Sequence, residues 1–227
     1  MALADSAKWM LTRVGEYTSA SQLHKLNSLI NYLEVGRWLK ANCFEAFPRF
    51  STRTLLYQQI AKKVETEKIL YLEFGVCEGY SLRQWSNLLT HPDSSLHGFD
   101  SFEGLPEAWD NMRPKGTFDV KGAVPEFSDR RVVLHQGWFE ETLPSFALPD
   151  HERLVLNLDA DLYSSTKLVL EHLRDVIEPG TIIFFDEFCD RTHELRAFSE
   201  FLSRHHMVFS FIGGTKSLEC VAFERVD

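Results

Sequence analysis

Hydrophobic and polar positions divide the chain near residue 50. Before it, Leu23, Leu26, Ile30 and Leu33 recur at helical spacing up to Gly36, and no run has the apolar continuity of a strand. This predicts a helical cap or lid over residues 1–50. A further helix starts near Ser51, a good N-cap, and carries Leu56, Ile60 and Val64 on one face. From residue 69 onward, short apolar runs alternate with amphipathic stretches. Residues 69–74, 96–99, 131–135, 154–158 and 181–185 read as strands. They are apolar on both faces, as strands sandwiched between helices are, which predicts a parallel sheet. Leu82, Trp85 and Leu89 mark one intervening helix, and Val169, Leu173 and Val176 mark another, closed by Pro179-Gly180. Leu195, Phe198 and Leu202 mark a third. Residues 207–212 and 218–223, around Gly213-Gly214, read as a hairpin. The expected fold is α/β. It is a doubly wound, mostly parallel seven-stranded sheet with an antiparallel C-terminal hairpin, in one domain over residues 51–227.

Polar residues fall at the strand ends. Glu73 and Gly75, Asp100-Ser101, Gln136-Gly137, Asp159 and Asp161, and Asp186-Glu187 each follow or close an apolar run. Ligands of open parallel sheets bind beyond the carboxyl ends of the strands, so one edge of this sheet is lined with acids. Unpaired acids gathered in one place do nothing for stability alone and point to a cationic or polyhydroxylated ligand. The first strand turn runs Glu73, Phe74, Gly75, Val76, Cys77, Glu78, Gly79, Tyr80, Ser81. Its E-x-G-x-x-x-G pattern differs from the G-x-G-x-x-G of dinucleotide proteins, whose pyrophosphate needs a loop free of carboxylates. The ammonium and sulfonium of S-adenosylmethionine instead favour a nearby acid such as Glu73. Phe74, Gly75, Gly79, Tyr80 and Ser81 complete this candidate cofactor loop. Asp100, with Ser101 beside it, is placed to accept from ribose hydroxyls. Gln136, Gly137 and Trp138 can hold an adenine by a side-chain amide and an aromatic face, although Trp138 suits a core equally.

Composition removes several alternatives. The formal charge of −9 over 227 residues, without a Lys/Arg-rich run, argues against nucleic acid and anionic membranes. Cys43, Cys77, Cys189 and Cys220 have no metal-ligand spacing and read as reduced, mostly buried thiols. The first residues lack the pattern of a signal peptide, and no apolar stretch approaches the ~20 residues that span a bilayer. The expected setting is cytoplasmic, with a small-molecule partner.

Four stretches together carry a resemblance. They are Glu-Phe-Gly-Val at 73–76, Gly-Phe-Asp-Ser-Phe-Glu-Gly-Leu-Pro at 98–106, Gly137-Trp138-Phe139 with Thr142-Leu143-Pro144, and Leu-Asp-Ala-Asp-Leu-Tyr-Ser-Ser-Thr at 158–166. This set resembles the macrocin O-methyltransferase family from about residue 50 to the C-terminus. The resemblance implies a class I, Rossmann-like enzyme that uses S-adenosylmethionine to O-methylate sugars of natural products, typically with magnesium. It further implies that Asp159 and the pair Asp186-Glu187 hold the Mg2+ ion. The family more often shows Asp-Asp-Tyr where this chain reads Asp186-Glu187-Phe188. A homodimer formed through the helical N-terminus is also expected by this likeness.

The implied reaction is an in-line attack of an acceptor oxygen on the methyl carbon. A sugar hydroxyl must surrender its proton to a base or be acidified by a metal. Asp159, as ligand or base, and His193 are the candidates. Two other classes share some of these features. Asp159-x-Asp161 with Asp186-Glu187 also suits a magnesium-dependent aspartyl phosphatase or a D-x-D glycosyltransferase, but either leaves residues 73–79 without a role. A non-catalytic binding module on the same fold is the remaining alternative.

Overall fold

The computed structural model describes residues 2–44 and 46–227. Two helices come first, α1 (Ala2–Gly15) and α2 (Ala20–Ala41). A short strand β1 (Arg49–Phe50) and helix α3 (Arg53–Val64) follow. The alternating region then comprises β2 (Ile69–Phe74), α4 (Tyr80–Leu88), β3 (Ser95–Asp100), β4 (Val132–Gln136) and the single turn α5 (Phe139–Thr142). It continues through β5 (Arg153–Leu158), α6 (Tyr163–Leu173), β6 (Ile182–Phe185), α7 (Glu194–His205), β7 (Phe209–Thr215) and β8 (Val221–Arg225).

One sheet orders these strands β1-β7-β8-β6-β5-β2-β3-β4 among the described residues. Only β8 runs against the rest, antiparallel to both β6 and β7. The seven expected strands are all present, and β1 adds an eighth at the edge, paired parallel with Gly214 and Thr215. Alternation along β2 builds two cores. Leu70, Leu72 and Phe74 pack with α6, α7 and the hairpin phenylalanines Phe209, Phe211 and Phe223. Ile69 and Tyr71 pack against Leu56, Tyr57 and Ile60 of α3 and Trp85 of α4. Helices thus cover both faces, as a parallel sheet requires.

Three local expectations shift. Gly36 does not end α2, which runs on to Ala41, so that Val35 and Leu39 reach the core. The Leu23, Leu26, Ile30 and Leu33 stripe is exposed, as are Trp9, Met10 and Leu11 on α1. The hairpin turns at residues 216–220, because β7 continues through Gly213-Gly214 to Thr215. A Cβ at Gly213 would stand 2.9 Å from Leu56 and 3.1 Å from Phe50, so this glycine admits close neighbours and does not make the turn. All four cysteines are free, and Cys220 alone is buried. Among the described residues, no helix is long and apolar enough to cross a membrane.

Candidate active site

A cavity of about 300 Å³ opens beyond the carboxyl ends of β2, β3, β5 and β6. Gly75, Asp100, Ser101, Trp138, Asp159, Asp186 and Glu187 line it, as expected. Arg53, Cys77, Phe118, Glu140, Asp161 and Ser165 also line it and were not among the expected site residues.

The floor is set where the parallel neighbours β2 and β5 end side by side. The N–H of Gly75 donates to Phe99 O, and the N–H of Asp159 donates to Phe74 O, at 3.0 and 2.9 Å. Gly75 has φ +95°, and a Cβ there would lie 1.8 Å from the Asp159 carbonyl oxygen. Only glycine permits this approach. Asp100 then ties the turn down. Its Oδ2 accepts from the Val76 and Cys77 N–H groups at 2.8 and 2.7 Å, and its Oδ1 accepts from Phe102 N–H at 2.7 Å. One carboxylate therefore holds the turn after β2 to the start of the irregular 101–131 segment. That segment is itself knit together by Leu105 N–H donating to Thr117 O and Gly122 N–H donating to Phe102 O.

Glu73 lies beneath the cavity and not on its wall. It is fully buried and accepts from the Tyr71 hydroxyl at 2.6 Å, the Ser81 hydroxyl at 2.9 Å and the Asn157 amide at 3.3 Å. Burial pushes its carboxyl up to about 7, against the lowering effect of those donors. An acid raised in the folded state stabilises fully below its ordinary value of 4.5, and that stability drains away as pH rises through about 7. Glu73→Gln, which cannot titrate, should melt near wild type at about pH 5 and several degrees higher at about pH 8. Thermal melts across that range read the difference, and parallel pH profiles would show that Glu73 ionises freely in place.

Phe74 is a core residue stacked on Phe99. Gly79 caps α4 with φ +76°, and Tyr80 is exposed beside Arg53. Gln136 is exposed at the end of β4 and Gly137 follows it, both outside the cavity lining. His193 is also off the wall. Its Nδ1 accepts from Tyr163 N–H at 3.1 Å, its ring faces Trp109, and burial lowers its basicity.

The acids at β5 and β6 crowd one another. A quarter of the Asp159 side chain reaches the cavity although protein surrounds it, and burial with Asp186 pushes its carboxyl well up. Asp161 and Glu187 are each raised to about 7, first by burial and then by their acidic neighbours. Fully buried Glu194 accepts from Glu187 N–H at 3.0 Å and leaves its other oxygen unpaired. Arg53 enters this group. Its Nη1 lies 2.5 Å from Asp186 Oδ2 and 3.7 Å from Asp159 Oδ2. Asp159 and Asp186 thus converge, as expected of magnesium ligands, but on a guanidinium. Among the described residues, no three His, Cys, Asp or Glu side chains are grouped to hold a metal ion. The donor set does not fit magnesium.

The helical N-terminus touches this region from above. Arg191, in the loop after β6, donates to the side chains of Asn27 and Asn31 on α2. His24 lies 3.9 Å from Asp110 of the 101–131 segment.

Comparison with known proteins finds a family described as a methyltransferase domain matching residues 72–188. A curated relative is 8-demethyl-8-(2,3-dimethoxy-alpha-L-rhamnosyl)-tetracenomycin-C 4'-O-methyltransferase of Streptomyces olivaceus, 31% identical over 150 residues. The match covers 55% of this chain and 57% of that protein, so the chain spans little more than half the length of this relative. Among solved structures, the O-methyltransferase NovP superposes with a TM-score of 0.63 at 23% identity, over 77% of this chain and 80% of that one. The calicheamicin methyltransferase CalS11 superposes with a TM-score of 0.57 at 20% identity, over 91% and 93%. At these identities the structural likeness is one of fold.

Proposed function

The chain belongs to the methyltransferase domain family, and from that premise we propose that it moves a methyl group from S-adenosylmethionine to a hydroxyl of a small molecule, a sugar of a natural product being the favoured acceptor. The observation that carries this reading is the cavity itself. A glycine-floored turn and six acids, Asp100, Glu140, Asp159, Asp161, Asp186 and Glu187, surround it at the carboxyl ends of the parallel strands. Such a wall attracts a sulfonium and an ammonium and can hydrogen-bond ribose and sugar hydroxyls. The tetracenomycin relative is named for O-methylation of a rhamnosyl group, which favours a sugar acceptor here.

In the proposed step the acceptor oxygen attacks the methyl carbon, the C–S bond breaks, and its electron pair stays on sulfur. The hydroxyl proton passes to a carboxylate, for which Asp159 is the favoured acceptor because it stands on the wall while His193 does not. Aligning oxygen, carbon and sulfur supplies most of the rate.

Calorimetric titration with S-adenosylmethionine and S-adenosylhomocysteine tests the cofactor. Dissociation constants on the order of micromolar are expected, and a folded protein that takes up neither ligand would end this reading. Incubation with S-adenosylmethionine and a panel of glycosides, read by mass, then tests the acceptor. A gain of one CH2 on a sugar oxygen is expected, whereas transfer confined to nitrogen would redirect the assignment.

A further inference from the structure

Among the described residues, one basic side chain stands on the cavity wall, and the fold fixes its place. Arg53 is the first residue of α3, fixed there by the Thr52 hydroxyl, which accepts from Leu55 N–H. Just upstream, Arg49 and Phe50 pair with Gly214 and Thr215 of β7, and Lys216 N–H donates to Phe50 O. This edge pairing carries the start of α3 to the carboxyl end of β6, where Asp186 stands. The guanidinium also lies 5.5 Å from the centre of the Tyr80 ring, and about a third of the side chain is exposed. Capping, sheet pairing and ring contact therefore converge on one position for one charge.

That position lies between Asp159 and Asp186, on the oxygens a divalent ion would need. Magnesium demands near-octahedral oxygen ligands at about 2.1 Å and cannot share those lone pairs with a guanidinium. Glu187 lines the same cavity, but among the described residues it is not grouped with Asp159 and Asp186 as a three-ligand cage. Arginine keeps its charge at any pH of interest and offers several directed N–H donors.

We propose that Arg53 supplies the positive charge between Asp159 and Asp186, and that methyl transfer here proceeds without a divalent cation. The inference rests on the methyl-transfer reading. A guanidinium is no Lewis acid, so it cannot ionise the acceptor by coordination. It acts as a positioning residue: it holds the two carboxylates in place, and the acceptor proton passes to a carboxylate oxygen while the C–S electron pair returns to sulfur. Atoms and charge balance with no further reactant.

The test is a Mn2+ titration followed by electron paramagnetic resonance on the wild type, Arg53→Lys and Arg53→Met, with S-adenosylhomocysteine affinity measured calorimetrically on the same samples. The wild type and the lysine variant should show no saturable Mn2+ uptake in the micromolar range. The methionine variant keeps the apolar stem but frees both carboxylates, and should bind Mn2+ at least about tenfold more tightly than the wild type. Methyl transfer by chelator-treated wild type should equal that with added magnesium. Micromolar Mn2+ binding by the wild type, or transfer that magnesium restores, would overturn the proposal. So would Mn2+ silence in a folded methionine variant, because Arg53 would then not be what excludes the ion. If the folded wild type binds no S-adenosylhomocysteine, the methyl-transfer reading fails with the mechanism built on it, whereas the Mn2+ comparison still reads what Arg53 does to the carboxylate pair.

Discussion

Gly75→Ala should abolish cofactor binding and lower the melting temperature by roughly 10 °C. The methyl group would begin 1.8 Å from the carbonyl oxygen of Asp159, and that neighbour is backbone, not the far end of a flexible side chain. No rotamer relieves such a contact. Either β2 and β5 part at their carboxyl ends, or residue 75 leaves φ +95° and takes the turn with it. The first route breaks the bond from Asp159 N–H to Phe74 O, and the second breaks the bond from Gly75 N–H to Phe99 O. A positive φ in alanine adds about 1 kcal/mol to the cost of the clash. Calorimetry with S-adenosylhomocysteine should give a flat trace beside a shifted but cooperative melt. Affinity within about twofold of the wild type would mean that the close approach of Gly75 to Asp159 does not form the floor of the site.

Asp100→Asn is the second large effect, and it is larger than the shape of the substitution suggests. Both carboxylate oxygens of Asp100 accept backbone N–H groups, two from the turn after β2 and one from the segment after β3. An asparagine offers one acceptor oxygen and places an NH2 group where the other stood, so a donor faces a donor. Losing a hydrogen bond to a charged acceptor costs about 1.5–3 kcal/mol, which corresponds to a tenfold to hundredfold loss of cofactor affinity. The melt should move by only a few degrees, since the cores on either side of the sheet are untouched. Comparing the two observables separates this variant from Gly75→Ala, where both fall together. Unchanged affinity would show that the 101–131 segment holds its own conformation without Asp100.

The strands and the edge of the sheet bearing the site were legible for a physical reason. Parallel strands buried on both faces must be continuously apolar, and polar residues can begin only where the ladder opens to solvent. Residues 69–74 therefore match β2 residue for residue, and Asp100, Asp159 and Asp186 fall where expected. The same continuity conceals direction. With apolar neighbours on both sides, nothing in the local pattern says which face of β2 bears Glu73. Alternation puts it with Tyr71 on the α3–α4 side, beneath the cavity instead of in it. Arg53 was beyond reach for a different cause. Its contact with Asp186 spans 133 positions and depends on an edge strand of two residues, too short to leave a periodic signal. The stripe on α2 has the spacing of a buried face yet stands exposed, because periodicity reports amphipathicity and not what covers it.

The imbalance of charge on the cavity wall has a consequence for turnover. In the proposed reaction the ligand's sulfur is a cation before transfer and a neutral thioether after it. Six acids and one arginine face it among the described residues. Attraction between opposite charges in a partly desolvated cleft is worth far more than in water, and it vanishes when one partner loses its charge. The spent donor is thus held less tightly than the fresh one at the same address, so exchange of one for the other is downhill. The chemistry clears its own way for the next cycle.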